Sequence, residues 1–323
     1  MNIPLNYNYF HKFRLCKIIL IYIFVITYNN NYLLNPKMVG INHKTQINSN
    51  IYTKSEYKIT GKNVMKLLII NGSPRRQNTW KIVERVKETI NNLDDNVTFN
   101  EIDLIEENIP SCIGCYKCFN DGEECCPHSS VIEPIVEEMK SCDGLIITSP
   151  VYALNVTGVM KNFIDHIAYF YHRPYFFKHK ALVIVTTAGA GHKKVGKYLD
   201  ETLGNMGYNQ RYDLFFIHSH DAHGYLPLKT KQTIDKESVK FYSSIKENRL
   251  TGPDFKSMVM YNVWRAMAKS NTIKRDNKYW TETGLINHEY SPDVPCNAIK
   301  KLIMKIFYRI MLKFLSKNTV ESE

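Results

Sequence analysis

Ser73, Asn78 and Thr79 place three side-chain hydrogen-bond donors in one short stretch, beside Gly72, Arg75 and Arg76. The chemistry such a stretch offers is anion binding. Small residues let main-chain N–H groups converge, the start of a helix adds the positive end of its dipole, and an arginine adds charge. The stretch is neither GxxxxGK[ST] nor GxGxxG, and an ordinary capped strand-to-helix turn is the alternative. A second chemistry is that of thiols. Five of the eight cysteines, Cys112, Cys115, Cys118, Cys125 and Cys126, fall in one stretch. Three at two-residue spacing with a fourth behind them suit a [4Fe–4S] cluster, and thiolate-rich loops also suit zinc. As plain thiols they are buried or redox-active groups. Their clustering is not a disulfide framework, which points to a reducing compartment. Histidines 166, 172 and 179 lie among aromatic residues, where packing or a subunit contact is favoured over metal binding. His218, His220 and His223 form an HSHDAH run with loose ligand spacing.

The elements that position these residues follow from periodicity. Lys66 to Ile70 is a short apolar run, punctuated by Asn71-Gly72 and Pro74, so it reads as a buried strand over 66–71. A helix over 79–92 follows, with Ile82, Val83, Val86 and Ile90 on one face, then a strand over 97–103. The cysteine loop occupies 110–128 and leads into a helix carrying Val131, Ile132, Ile135, Val136 and Met139. A strand over 144–148, a helix from 158 to about 170, a strand over 181–187, a helix over 195–206 and a strand over 208–217 continue the alternation. Strict alternation predicts an α/β fold, a parallel sheet wound on both faces. Five strands suit the flavodoxin-like order 2-1-3-4-5, with the ligand crevice outside the carboxyl ends of the strands. The loops at three of those ends are unusual: Gly72-Ser73-Pro74-Arg75, Ser149-Pro150-Val151-Tyr152 and Thr187-Ala188-Gly189-Ala190-Gly191. One such loop is a turn. Three at one sheet edge make a site.

The chain has 323 residues, 44% of them hydrophobic, ample for one domain with appendages. Its formal charge of +11 invites a nucleic-acid reading, but the charge sits at the ends. Residues 1–64 carry eight basic residues against one acidic, and 299–323 carry six against two, whereas the basic and acidic residues of 65–298 balance. A nucleic-acid partner loses its support, because such proteins carry a basic face on the fold itself. The organisation expected is an extension over 1–64, a domain over 65–224 and a helical C-terminal extension over 225–323. Residues 18–28 are an apolar run behind basic residues, short for a membrane span and lacking a small-x-small cleavage site. The favoured reading starts the protein at Met65, with the preceding segment a gene-model extension or a disordered tail; a membrane anchor and a signal peptide are the alternatives. Residues 230–270 and 296–317 read as helices separated by a Tyr- and Trp-containing loop. In the last helix Ile299, Leu302, Ile303, Ile306, Phe307, Ile310, Phe314 and Leu315 form an apolar stripe beside lysines, better explained by packing than by membrane association through this terminus.

The segments 72–79 (GSPRRQNT), 112–118 (CIGCYKC), 149–166 (SPVYALNVTGVMKNFIDH) and 186–191 (TTAGAG), in that order, resemble those of the NAD(P)H-dependent FMN reductases of the flavodoxin-like superfamily. The resemblance covers about 65–220, and 255–314 looks like an extension found in part of that family. Gln77 departs from the Gly that is frequent there, which leaves the path of the phosphate loop open. The resemblance implies FMN, with Ser73, Arg75, Asn78 and Thr79 at its phosphate. Pro150, Val151 and Tyr152 and the loop Thr187, Ala188, Gly189, Ala190 and Gly191 would hold its ring. The chemistry agrees: small residues let N–H groups approach a ring edge that gains negative charge, and Tyr152 offers an aromatic wall. Hydride transfer to a flavin needs stacking and distance control, so no catalytic acid, base or nucleophile is assigned. The related iron–sulfur flavoproteins carry a cluster in this loop; its ligands here would be Cys112, Cys115, Cys118 and either Cys125 or Cys126. Thiols without metal are the favoured reading.

The main expectation is an oxidoreductase taking hydride from NADH or NADPH onto FMN and passing electrons to a quinone, a nitro or azo compound, or a protein. An iron–sulfur electron-transfer protein and a non-catalytic FMN-binding module are the alternatives. A cytoplasmic homodimer is expected, because the aromatic run 169–177 needs covering.

Overall fold

A computed structural model of the chain describes residues 64–217 and 226–320, with side chains to 316, all within one unit, Ile59–Glu323. The readings of 1–63, including the apolar run at 18–28, and of His218, His220 and His223 lie outside the described residues.

Five strands, β1 (Met65–Asn71), β2 (Val97–Asp103), β3 (Gly144–Pro150), β4 (Lys180–Thr187) and β5 (Gln210–Ile217), form a parallel sheet of order β2-β1-β3-β4-β5. This is the expected flavodoxin-like order. The central strands are apolar throughout because both faces are covered: Leu67 to Ile70 and Ala181 to Val185 are almost fully buried. Helices α1 (Asn78–Asn91), α2 (Ser129–Ser141), α3 (Gly158–His166) and α4 (His192–Met206) connect the strands, and α5 (Leu228–Lys246) follows β5. α1 and α5 share one buried layer, in which Ile82, Val83 and Val86 meet Ile234 and Phe241. α2, α3 and α4 bury the opposite face, through Ile135, Met160, Phe163 and Leu199 among others.

Four elements differ from expectation, and the first is the span 230–270, read as helix, which forms two helices, Leu228–Lys246 and Phe255–Lys269. β3 runs two residues further, to Pro150, because Ser149 and Pro150 pair with Val185 and Thr186. The helix expected from 158 to about 170 stops at His166 and resumes as a single turn, Tyr169–His172. The stretch read as a loop contains a helix, α7 (Lys274–Glu282), after α6 (Phe255–Lys269). α7 is polar by composition and forms because Asp276 and Trp280 are buried from one of its faces.

The last helix, α8 (Ala298–Val320), lies against α6, but the stripe read from sequence does not pack as one surface. Met304, Phe307, Met311 and Leu315 are buried, whereas Ile299, Leu302, Ile303, Ile306 and Ile310 are exposed. The run 169–177 is covered largely by the chain itself, with Tyr175 left exposed. Trp280 Nε1 donates to the His172 carbonyl at 2.8 Å, and the Tyr279 hydroxyl donates to the Pro174 carbonyl at 2.6 Å. Among the described residues no helix is long and apolar enough to cross a membrane.

Candidate functional site

The carboxyl edge of the sheet is held by side chains of its central strands. Asn71, at the end of β1, donates to Asp103 Oδ1 on β2 at 2.5 Å and accepts from the Thr148 hydroxyl on β3 at 2.8 Å. The same Asn71 oxygen accepts from Ser73 N at 3.1 Å, so one residue aligns three strands and starts the next loop. Gly72 follows because nothing larger fits: a Cβ there would lie 2.7 Å from Met160 Cε and 2.8 Å from the Thr148 carbonyl oxygen. The Thr157 hydroxyl donates to the Gly72 carbonyl at 2.6 Å and accepts from Met160 N, which caps α3. The Thr79 and Thr186 hydroxyls meet at 2.6 Å, tying the start of α1 to β4.

The start of α1 is electrostatically unfinished. Gln77 at its cap makes no side-chain hydrogen bond, and the first turn has no acidic residue. Its positive end is therefore uncompensated by the helix's own side chains. Of the two arginines beside it, Arg76 is committed elsewhere. It donates to Asp103 Oδ2 and Glu101 Oε2 and lies 3.8 Å over the Trp80 ring. Arg75 is exposed and has no side-chain partner among the described residues. Ser73 is buried, and its hydroxyl donates to the Arg75 carbonyl at 2.7 Å, bending the loop.

The other two loops converge on the same edge. Val151 N donates to the Thr186 carbonyl at 2.8 Å. Tyr152 and Asn155 bond each other's backbones across a turn in which Ala153 and Leu154 adopt positive φ, 47° and 61°. That turn leaves the Tyr152 ring 43% exposed. Thr187 Oγ1 donates to the Ala190 carbonyl and accepts from Gly189 N, which folds the 187–191 loop on itself. Gly191, at φ 95°, ends that loop against the first: a Cβ there would lie 3.0 Å from Leu154 and 3.2 Å from Val151. The sequence-predicted residues of all three loops thus share one edge, linked through Thr79–Thr186, Val151–Thr186 and Gly191–Val151.

The cysteine loop is anchored from α3. Asn162 accepts from Cys112 N at 2.9 Å and donates to the Ile109 and Pro110 carbonyls. Arg173, buried beneath the loop, donates to the Cys118 carbonyl at 2.5 Å. Cys112, Cys115 and Cys125 are exposed, Cys118 and Cys126 are half-buried, and all seven described cysteines are free thiols. Burial pushes the Cys118 thiol up to about 11, with Cys126 adding to the rise and Arg173 opposing it. The sequence reading missed His128, which lies with Cys126 and His166. The ligand atoms of these three are all within 4.8 Å of one another. The only local signal is Cys126-Pro127-His128; His166 is 40 residues away from Cys126. The other two histidines serve packing. His172 stacks on Trp264 and bonds Asp276, and His179 bonds the Lys140 carbonyl.

Residues 65–220 match the family model described as NADPH-dependent FMN reductase. This part of the chain is thus similar to members of that family. Among curated proteins, the chain is 28% identical over 229 residues to an iron–sulfur flavoprotein of Clostridioides difficile. That match covers 69% of this chain and all of the relative. An iron–sulfur flavoprotein of Archaeoglobus fulgidus is 33% identical over 125 residues, covering 39% of this chain and 60% of the relative. An NADPH azoreductase of a Bacillus species is 25% identical, with 39% and 61% covered. Among solved structures, an apo NADH:FMN oxidoreductase superposes with a TM-score of 0.43 at 21% identity, covering 56% of this chain and 89% of that one.

Proposed function

We propose that this protein is an NAD(P)H-dependent oxidoreductase that uses FMN and passes electrons to a quinone, a nitro or azo compound, or a protein acceptor. The observation that carries this is the convergence of a helix start without a side-chain cap, an arginine whose side chain has no partner among the described residues, and two small-residue loops at the carboxyl ends of β1, β3 and β4. The residues present fit FMN. A Cβ at Gly189 would meet nothing within 4 Å, so a flat ring can approach that backbone, and the exposed Tyr152 stands on the neighbouring loop. At the phosphate end, the chain offers the first N–H groups of α1, the Asn78 amide and the Arg75 guanidinium. Of the paired Thr79 and Thr186 hydroxyls only one proton lies between the oxygens, so the other is left to donate outward. Bound FMN supplies the acceptor for hydride and a store of two electrons. The chain's part is to hold the ring between the 150–152 and 187–191 loops, with N–H groups toward the edge that becomes negative. We assign no side-chain acid or base.

The iron–sulfur flavoprotein relatives and the Cys112–Cys115–Cys118 triplet support a second reading, a one-electron carrier with a [4Fe–4S] cluster completed by Cys125. We also place the protein in the cytoplasm as a homodimer. The run 169–177 argues little for the dimer, since the chain covers all of it but the exposed Tyr175; the exposed side of α8, with Leu302, Ile303, Ile306 and Ile310, offers a surface for a second copy.

The full chain purified without oxygen should carry about one FMN, bleached by NADH or NADPH and restored by a quinone, with ping-pong kinetics. About four irons per chain would move the assignment to the electron carrier. No flavin after FMN is added would overturn both.

A further inference from the structure

We propose that Cys126, His128 and His166 form a binding site for one divalent cation of the zinc class, separate from the thiols of Cys112, Cys115 and Cys125. The three ligand atoms lie within 4.8 Å of one another, so a single ion can reach all three after small side-chain rotations. Cys126 Sγ and His166 Nδ1 are 3.8 Å apart. A tetrahedral zinc, with Zn–S near 2.3 Å and Zn–N near 2.0–2.1 Å, separates a sulfur and a nitrogen ligand by about 3.6 Å.

The orientation of His166 is that of a prepared ligand. Its Nε2 lies 2.8 Å from the Pro110 carbonyl oxygen. That oxygen can only accept, so Nε2 carries the proton and a neutral ring presents the bare Nδ1 lone pair to Cys126. The carbonyl is itself fixed, because Asn162 Nδ2 donates to it at 3.1 Å from one turn earlier on α3. A ligating histidine held by a backbone carbonyl, itself held by a second side chain, is the usual support around a metal. His128 completes the set. It sits at the cap position of α2, yet its side chain makes no capping hydrogen bond, and its ring meets that of His166 edge-on at 5.3 Å. A thiol donating to an imidazole explains the Cys126–His166 pair alone. It does not explain a second imidazole facing the same point.

The ligand set determines the ion. One thiolate and two imidazoles favour zinc over magnesium or calcium, which take oxygen ligands. Binding converts the Cys126 thiol to a zinc thiolate: the S–H bond breaks, the Zn–S bond forms and one proton leaves to solvent. His166 is buried, but Cys126 and His128 are half-buried, so the ion can enter from solvent and keep a water as its fourth ligand. The ion would join the end of the cysteine loop and the start of α2 to the end of α3.

The test is zinc titration of the full chain after chelator treatment, with bound metal counted per chain and cobalt(II) as a spectroscopic probe. Expected are about one zinc per chain and a tetrahedral cobalt spectrum with a thiolate band. His166→Gln should weaken zinc binding by at least tenfold, whereas Cys115→Ser should leave it within about twofold. His166 is buried, so the half-buried His128→Gln is the companion variant, and a circular dichroism spectrum confirms that each variant folds. Failure of the wild-type chain to bind zinc overturns the proposal. So does a site lost in Cys115→Ser but kept in both histidine variants, which would give the ion to the cysteine triplet.

Discussion

At the scale of single residues, two adjacent arginines have opposite roles that their residue type and spacing alone do not separate. Arg76 is held by Glu101 and Asp103 and by the Trp80 ring, while Arg75, three residues before α1, is exposed and its side chain has no partner among the described residues. A free guanidinium at an anion site is worth about 1.5–3 kcal/mol in charge-assisted hydrogen bonding. Arg75→Ala should therefore weaken FMN binding by about tenfold or more in a flavin fluorescence titration. Arg76→Ala should change FMN affinity by less than about threefold, and stability by less than about 1 kcal/mol, because its ion pairs are exposed. Equal losses in the two variants would remove Arg75 from the proposed phosphate site. The donors Ser73, Asn78 and Thr79 were legible as a cluster because they are close in sequence. The residue types left Arg75 and Arg76 equivalent and only the family resemblance singled out Arg75; the physical reason, the acids on β2 that hold Arg76, was not legible. Cys126, His128 and His166 were illegible as a group for the same reason: α3 brings in the third member from a distance.

At the scale of elements, the alternation of strand and helix was legible because a parallel sheet covered on both faces needs uninterrupted apolar runs, and its helices need one apolar stripe. α7 escaped because its burial rests on Asp276 and Trp280, set in an otherwise polar sequence. Those residues join the C-terminal helices to the sheet domain. Asp276 bonds Arg173 Nη1 at 2.5 Å and His172 Nδ1 at 2.8 Å, and both Arg173 and Asp276 are almost fully buried. Removing Asp276 leaves the buried Arg173 with only the longer, more exposed pair to Glu123 at 3.3 Å, so the cost should approach the roughly 3–5 kcal/mol of a broken buried pair. Asp276→Ala should lose about that much in urea denaturation and become sensitive to proteases near α7. Lys178→Ala, which breaks the exposed pair with Asp293, should lose less than about 1 kcal/mol. Similar losses in the two would mean that α7 is held by its aromatic contacts alone. Arg173 also donates to the Cys118 carbonyl, so the Asp276 variant should loosen the cysteine loop as well.

At the scale of the whole molecule, folding partly withdraws from water the imidazoles of His172 and His179, which the unfolded chain leaves solvated. Burial lowers the pKa of His172 against the pull of Asp276, with Arg173 adding to the drop. Burial likewise lowers that of His179, against the Lys140 carbonyl and Asp143 and with Lys180 adding to the drop. Both rings are harder to protonate in the folded chain than in the unfolded one, whose imidazoles titrate near pH ~6.5. Below that pH the unfolded state binds more protons, so stability falls as the pH drops from the unfolded value through the folded ones. Above about pH 7 these groups contribute no slope. The carboxylates pulled down by their partners, Glu101 by Lys87 and Arg76, Asp235 by Arg85, and Asp254 by the Ser257 N–H and hydroxyl with Arg211 adding to the drop, lose their contribution only at lower pH. Asp213, its carboxyl pushed up to about 6 by partial desolvation with Asp200 adding to the rise, works the other way, but it keeps enough contact with solvent that the opposing effect is small. The melting temperature should thus be level from about pH 8 to 7 and decline from about 7 to 5. His172→Gln should make that decline shallower, because glutamine can still bond Asp276 but takes up no proton in either state. A decline of the same steepness in wild type and variant would show that the His172 ring protonates as readily beside Trp264 as it does in water.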